Sequence, residues 1–190
     1  MGVHWGCLRV GHLPPLSALE RAAVRSHAPP ALRCGKSSVG RYVADFLQCP
    51  FLDADDYHTK ANVDKMAQGI PLADEDRWPW LHRLAGVVDQ HLSSGLVLAC
   101  SALKASYRAA LAASPSVGFI YLKASKDLLS ERLSMRQDHF MGASMVDSQL
   151  SALEEPVEGV EGRRVVMVEL RRGEGVEETV WRIVPSLSVG

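Results

Sequence analysis

The sequence predicts a three-layer α/β domain, a parallel sheet with helices on both faces, on three observations. Short apolar runs alternate with stretches of helical periodicity along most of the chain. Its 190 residues, 47% hydrophobic and 23% charged with a formal net charge of −1, are enough for one core without disulfides or a structural metal. Gly35-Lys36-Ser37 opens the first regular helix, a place where folds of this class bind anions. Other classes are excluded by the same features. Near-neutral charge lacks the basic stripe of a general nucleic-acid binder, so no nucleic-acid partner is expected. The longest apolar runs, such as Leu96 to Cys100, fall far short of the roughly 20 residues that span a bilayer, so no membrane span is expected. Cys7, Cys34, Cys49 and Cys100 show no C-x-x-C pair and no histidine at metal-ligand spacing, which suits reduced thiols in the cytoplasm.

Taken in order, residues 1–33 form an atypical opening segment. They hold Pro14, Pro15, Pro29 and Pro30, carry four arginines against Glu20 alone, and show no sustained period, although Leu16 to Val24 could form a short helix. Low acidity and scattered arginines give an alternative, organellar reading of this segment as a transit peptide. Residues 34–190 are regular. Val39, Val43, Phe46 and Leu47 mark a helix over 36–47, and Phe51-Leu52 a strand that leads into Asp53-Ala54-Asp55-Asp56. Leu81, Leu84, Val88 and Leu92 predict a helix that starts at Pro79-Trp80 and ends near Ser94-Gly95. Leu96 to Cys100 reads as a strand covered on both faces, followed by a helix over 103–113. Phe119 to Leu122 is the next strand and Lys126 to Met135 the next helix; Val165 to Val168 and Val176 to Ile183 are the last pair. Ligands of such sheets bind beyond the carboxyl ends of the strands, which places the chemistry just after Leu52, Cys100 and Leu122.

Gly35-Lys36-Ser37 has the form of the tail of a phosphate-binding loop, in which backbone N–H groups cradle phosphates, lysine reaches the β/γ oxygens and serine holds Mg²⁺. The full G-x-x-x-x-G-K-[ST] pattern needs a glycine at position 30, where this chain has Pro30, and a buried strand before it. Proline has no N–H to donate and its fixed φ cannot copy a glycine turn, so weak nucleotide binding is expected of this chain.

Downstream, Phe51-Leu52-Asp53-Ala54-Asp55-Asp56-Tyr57-His58, Lys65-Met66, Gly69-Ile70-Pro71-Leu72, Asp74 to Leu81 and Cys100-Ser101-Ala102-Leu103-Lys104 with Tyr107-Arg108 follow one another. Phe119 to Leu122, Arg132-Leu133 and His139-Phe140 come after them. In this order the motifs resemble the gluconokinases of the small P-loop carbohydrate kinases, and the resemblance runs from about Gly35 to Leu153. It implies a shikimate-kinase-like or nucleoside-monophosphate-kinase-like fold with a small lid, about residues 136–146. It also implies transfer of the γ-phosphoryl of ATP, with Mg²⁺, to the 6-hydroxyl of D-gluconate, and a possible homodimer.

The resemblance distributes roles that the residue types can perform. Gly35, Lys36, Ser37 and Ser38 would hold ATP, with Ser37 and Asp53 serving Mg²⁺. Asp53 and Asp55 lie two apart after a strand, so in extended backbone they share a face, and Asp55 would orient or deprotonate the substrate hydroxyl. The acid end of gluconate needs cations, for which Arg77, Lys104 and Arg108 are the candidates, and His58 is a further substrate contact. Arg132 and Arg136, four apart on one helix face, would neutralise the transferring phosphate. The loop Arg171-Arg172-Gly173 would lie against adenine. Each group also has a plainer reading: a solvated acidic turn, a helix-start arginine paired with Asp74 or Asp76, a basic helix face, or tryptophans Trp78 and Trp80 as core. Two alternatives to the kinase reading stay open here. One is a non-catalytic relative that only binds, in keeping with the missing half of the loop; the other is a kinase for another small hydroxy acid such as shikimate.

Overall fold

A computed structural model of the chain describes residues 2–10, 35–134, 143–157 and 165–187. Five strands form one sheet in the order β2-β3-β1-β4-β5. They are β1 (Gly2–Val10), β2 (Phe51–Asp53), β3 (Leu96–Cys100), β4 (Val117–Ser125) and β5 (Val165–Glu169). The helices are α1 (Lys36–Leu47), α2 (Lys60–Ala67), α3 (Asp74–Gln90), α4 (Ala105–Leu111), α5 (Lys126–Ser134), α6 (Ala143–Ser151) and α7 (Val176–Leu187), with a 3₁₀ turn at Ala54–Tyr57.

The period-2 rule of strands sorts the core into two layers. On β3, Leu96, Leu98 and Cys100 face α3 and α4, where they meet Trp80, Leu81, Leu84, Val88, Tyr107 and Leu111. Val97 turns the other way, and with Ile120 and Leu122 of β4 it meets Val39, Val43 and Phe46 of α1, Leu128 and Leu129 of α5, and Val180 and Ile183 of α7. The expected three-layer α/β architecture is thus present, and β2–β3 and β4–β5 are parallel as expected.

The centre of the sheet departs from the expectation. The opening segment, read as poorly specified, contributes β1, which fills the slot between β3 and β4 and runs antiparallel to both; Gly6 is opposite Cys100 and Tyr121, and Val10 is opposite Leu96 and Val117. Without it, the inner edges of β3 and β4 would leave two rows of backbone N–H and C=O groups unpaired in the middle of the protein. The sheet is therefore mixed rather than wholly parallel.

Other boundaries shift for identifiable reasons. Helix α3 begins at Asp74, five residues before the expected Pro79, because the Asp76 carboxylate accepts the Ala73 N–H at 2.8 Å and three acidic residues occupy its first turn, so Pro79 lies inside the helix. Helix α2, not expected, is capped by Thr59 Oγ1, which accepts the Asn62 N–H at 3.2 Å. Strand β4 runs on to Ser125, with Lys123 paired to Glu169, so it does not end at Leu122. Helix α7 continues through Pro185 to Leu187. Most of the segment expected as a lid, residues 136–142, lies outside the described residues, and residues 143–146 begin α6.

Candidate active site

The first turn of α1 is built around Gly35, whose φ of 37° and ψ of −72° lie in a region that side chains disfavour. A Cβ at this position would stand 3.3 Å from Leu170 Cδ1 and 3.5 Å from Arg132 Nη1. Glycine is favoured here by the positive φ and by this close packing, and the same geometry brings the Arg132 guanidinium of α5 against the start of α1. Lys36 follows, 4% exposed, its Nζ 3.8 Å from Asp53 Oδ1 and 3.8 Å from Asp55 Oδ2. Ser37 Oγ donates to Asp53 Oδ2 at 2.6 Å. Ser38 lies half-buried in the same turn.

The carboxylates converge by a different route from the one expected. Asp53 closes β2 in extended backbone, its φ −102° and ψ 124°, and its Oδ1 accepts the Asp55 N–H at 3.2 Å. That cap starts the 3₁₀ turn, which folds Asp55 back over Lys36 instead of leaving the two side chains side by side along a strand. Asp56, in the same turn, is exposed. Two contacts from α3 hold the turn: Trp80 Nε1 donates to the Ala54 carbonyl at 2.8 Å, and Arg83 Nη1 to the Tyr57 carbonyl at 3.1 Å.

His58 ends the turn with its ring stacked on Trp80, centroids 4.3 Å apart and planes 15° from parallel. Burial lowers the imidazole pKa below its ordinary value, Asp55 opposes this, and the cations Arg77 and Lys36 add to it, so the ring is held neutral. Its Nδ1 is buried with no hydrogen-bond partner among the described residues. Cys100, at the tip of β3, is pushed up to about 12 by burial and is an inert wall of the same site.

Two of the cations expected for the acid end of a substrate, Arg77 and Lys104, gather around the Tyr107 ring. Arg77 Nε donates weakly to the Leu72 carbonyl at 3.4 Å, and its guanidinium stands 6.0 Å from the centre of the Tyr107 ring. The Asp74 and Asp76 carboxylates, which sequence reasoning offered to Arg77, are taken by Lys104 and Lys65 respectively. Arg108 is 3% exposed and donates through Nη1 to the carbonyls of Ala102 and Leu103, at 3.0 and 3.2 Å, beneath the loop that carries Lys104. Arg136 lies outside the described residues, as does His139. Arg171, Arg172 and Gly173, the expected adenine loop, line an open groove of about 620 Å³ together with Trp181 and Arg182 of α7.

The donor set suits Mg²⁺. A serine hydroxyl and an aspartate in contact supply hard oxygen ligands, and among the described residues no cluster of three or more histidine, cysteine or acidic groups forms a closed cage. Mg²⁺ is characteristically bound this way, through one or two protein oxygens completed by phosphates and water. Asp74 and Tyr107 were missed by sequence reasoning; the signal was the three-acid start of α3, visible only as a favourable helix terminus.

The chain is similar to several known proteins. The shikimate kinase family model matches residues 33–158. A protein named as a probable gluconokinase from Schizosaccharomyces pombe is 41% identical over 153 residues, covering 76% of this chain and 78% of that protein. The crystal structure of a gluconokinase from Sinorhizobium meliloti superposes with a TM-score of 0.71 at 38% identity, over 81% of this chain and 85% of that one. An unliganded sugar kinase from a Janibacter species superposes with a TM-score of 0.70 at 35% identity, covering 83% and 91%. A buried lysine between Asp53 at the strand tip and Asp55 in the turn after it, together with this pattern of likeness, leads to one conclusion: the chain belongs to the shikimate kinase family and, within it, to the gluconokinases.

Proposed function

We propose that the protein transfers the γ-phosphoryl group of ATP to the 6-hydroxyl of D-gluconate, giving 6-phospho-D-gluconate and ADP. The observation that carries this reading is the Lys36 ammonium held 3.8 Å from both Asp53 and Asp55, with Ser37 donating to Asp53. Phosphoryl transfer needs positioning and charge neutralisation more than covalent help from the protein, and these residues supply both. Lys36 and the N–H groups of the first turn of α1 hold the β- and γ-phosphates, and Arg132 offsets the charge on the transferring group. Mg²⁺, held by Ser37 and Asp53 when bound, neutralises the phosphate oxygens. Asp55 accepts the proton of the 6-hydroxyl as its oxygen bonds to the γ-phosphorus and the bond to the ADP oxygen breaks. Arg77 and Lys104 receive the carboxylate at the other end of the sugar acid, Arg108 holds the loop of Lys104 in place, and His58, stacked on Trp80, is a further contact between the two ends.

A coupled assay for ADP release, with gluconate and Mg²⁺, tests the reading. Lys36→Ala should reduce turnover by about 10²-fold or more. Asp55→Asn should lower kcat by about 10²-fold to 10⁴-fold with the KM for ATP little changed. Shikimate in place of gluconate should give no turnover; turnover with shikimate alone would reassign the substrate.

A further inference from the structure

Asp74, the first residue of α3, makes three short contacts to groups beside the proposed substrate pocket. Its Oδ1 and Oδ2 accept from Lys104 Nζ at 2.8 and 2.7 Å, and Oδ1 also accepts from the Tyr107 hydroxyl at 2.6 Å. Lys104 sits just beyond the tip of β3, in the loop that leads to α4, and Tyr107 is buried on α4. The Lys104 ammonium and the Arg77 guanidinium both lie over the Tyr107 ring, at 5.5 and 6.0 Å. Ammonium, phenol and guanidinium together make a cradle of the kind that recognises a carboxylate. That cradle already contains one. The Asp74 side chain is 45% exposed, so solvent and ligand can reach it, and the two donors hold its carboxyl below the ordinary aspartate range.

We propose that Asp74 is a specificity-determining residue that stands in for the acid group of the substrate: the ligand carboxylate replaces it at Lys104 and Tyr107 when the sugar acid binds. The inference rests on the proposed function for the identity of the ligand, but its chemistry concerns only the acid end. A carboxylate exchanges for Asp74 like for like, leaving both donors satisfied. A neutral polyol offers Lys104 only hydroxyls in place of a charged partner, and leaving a charged donor poorly paired is costly. The neighbouring acid, Asp76, plays no part in the exchange, since Lys65 and the Ala73 N–H occupy it.

Asp74 therefore opposes the affinity it helps to make selective, and its removal has a sign that a supporting role would not produce. Wild-type and Asp74→Asn proteins are titrated with D-gluconate and with D-glycerate, a hydroxy acid that keeps the acid end and lacks the six-carbon chain. The expected result is about fivefold tighter binding of both acids by the variant, the scale of one partly exposed ion pair, with a steeper loss of affinity on adding salt. The KM for gluconate should fall while the KM for ATP stays as it is. Unchanged or weaker binding of both acids by the variant overturns the exchange. Tighter glycerate with no gluconate binding by either protein upholds the exchange and overturns the six-carbon substrate instead. Asp74→Ser, small and neutral, replaces the asparagine variant if that does not fold. Lys104→Met should act with the opposite sign and weaken both acids.

Discussion

His58 shows how a single side chain can combine stability with recognition. Its ring is stacked on Trp80 and largely withdrawn from water, so the fold favours the neutral form and its pKa lies below the ordinary value near 6.5. Above that ordinary value neither the folded nor the unfolded chain is protonated here, and the residue adds no pH dependence. As the pH falls below about 6.5, the unfolded chain takes up the proton first, and stability declines until the folded ring reaches its own, lower pKa. Melting temperatures measured from pH 7 to pH 5 should therefore fall more steeply for the wild type than for His58→Gln, which lacks the titrating group. Equal slopes would place the ring in contact with solvent. The same glutamine keeps a hydrogen-bonding group near Nδ1, so its KM for gluconate should rise by less than that of His58→Ala.

At the scale of elements, the proposed chemistry falls at the junction of α1 with β2, where Gly35 is closely packed. Gly35→Ala combines a positive φ with a Cβ at 3.3 Å from Leu170 Cδ1 and 3.5 Å from Arg132 Nη1. The substitution should raise the KM for ATP and leave that for gluconate close to its wild-type value, as initial-rate measurements at varied ATP can show. A parallel rise in both would mean that the strand tip moves with the loop. Much of this junction was legible in the sequence. The spacing of Val39, Val43, Phe46 and Leu47 gives α1 with the bounds observed, since one helix face is buried throughout its length. Strand β3 is read from an apolar run that is buried throughout, and β5 from a run that stays apolar although it lies at the sheet edge with Met167 exposed. The segment Val3 to Val10 hid β1, because its alternation of Val3, Trp5 and Cys7 changes phase at Leu8 and Val10, so neither phase is sustained. The pairing of Asp74 with Lys104 and Tyr107 spans about thirty positions, and no local period reports such a contact. Arg108 was legible as a cation near the site, but not as one buried by carbonyls of its own loop.

Across the whole molecule, two independent layers meet at one sheet, and the site draws on both. The layer of α1, α5 and α7 supplies Gly35, Lys36, Ser37 and Arg132; the layer of α3 and α4 supplies Arg77 and Trp80, with Lys104 at the entrance to α4. Under the proposed function, nucleotide and sugar acid would rest on separate halves of the core. Position 30 is the weak point of the nucleotide half by sequence, because proline stands where the phosphate loop needs its first glycine. Calorimetric titration with a non-hydrolysable ATP analogue should give an affinity weaker than micromolar, improved by Pro30→Gly. Micromolar binding by the unaltered chain would show that the turn at Gly35 suffices.

Of the two bonds from α3 to the turn, one lies at the reacting end of the proposed site: the indole of Trp80 reaches the Ala54 carbonyl, midway between Asp53 and Asp55. The proposed catalytic tip thereby inherits the thermal motion of α3. On slow warming, turnover should vanish several degrees before the far-ultraviolet helical signal collapses, and Trp80→Phe should widen that gap. In this design the temperature ceiling for catalysis is set by how firmly one outer helix stays docked.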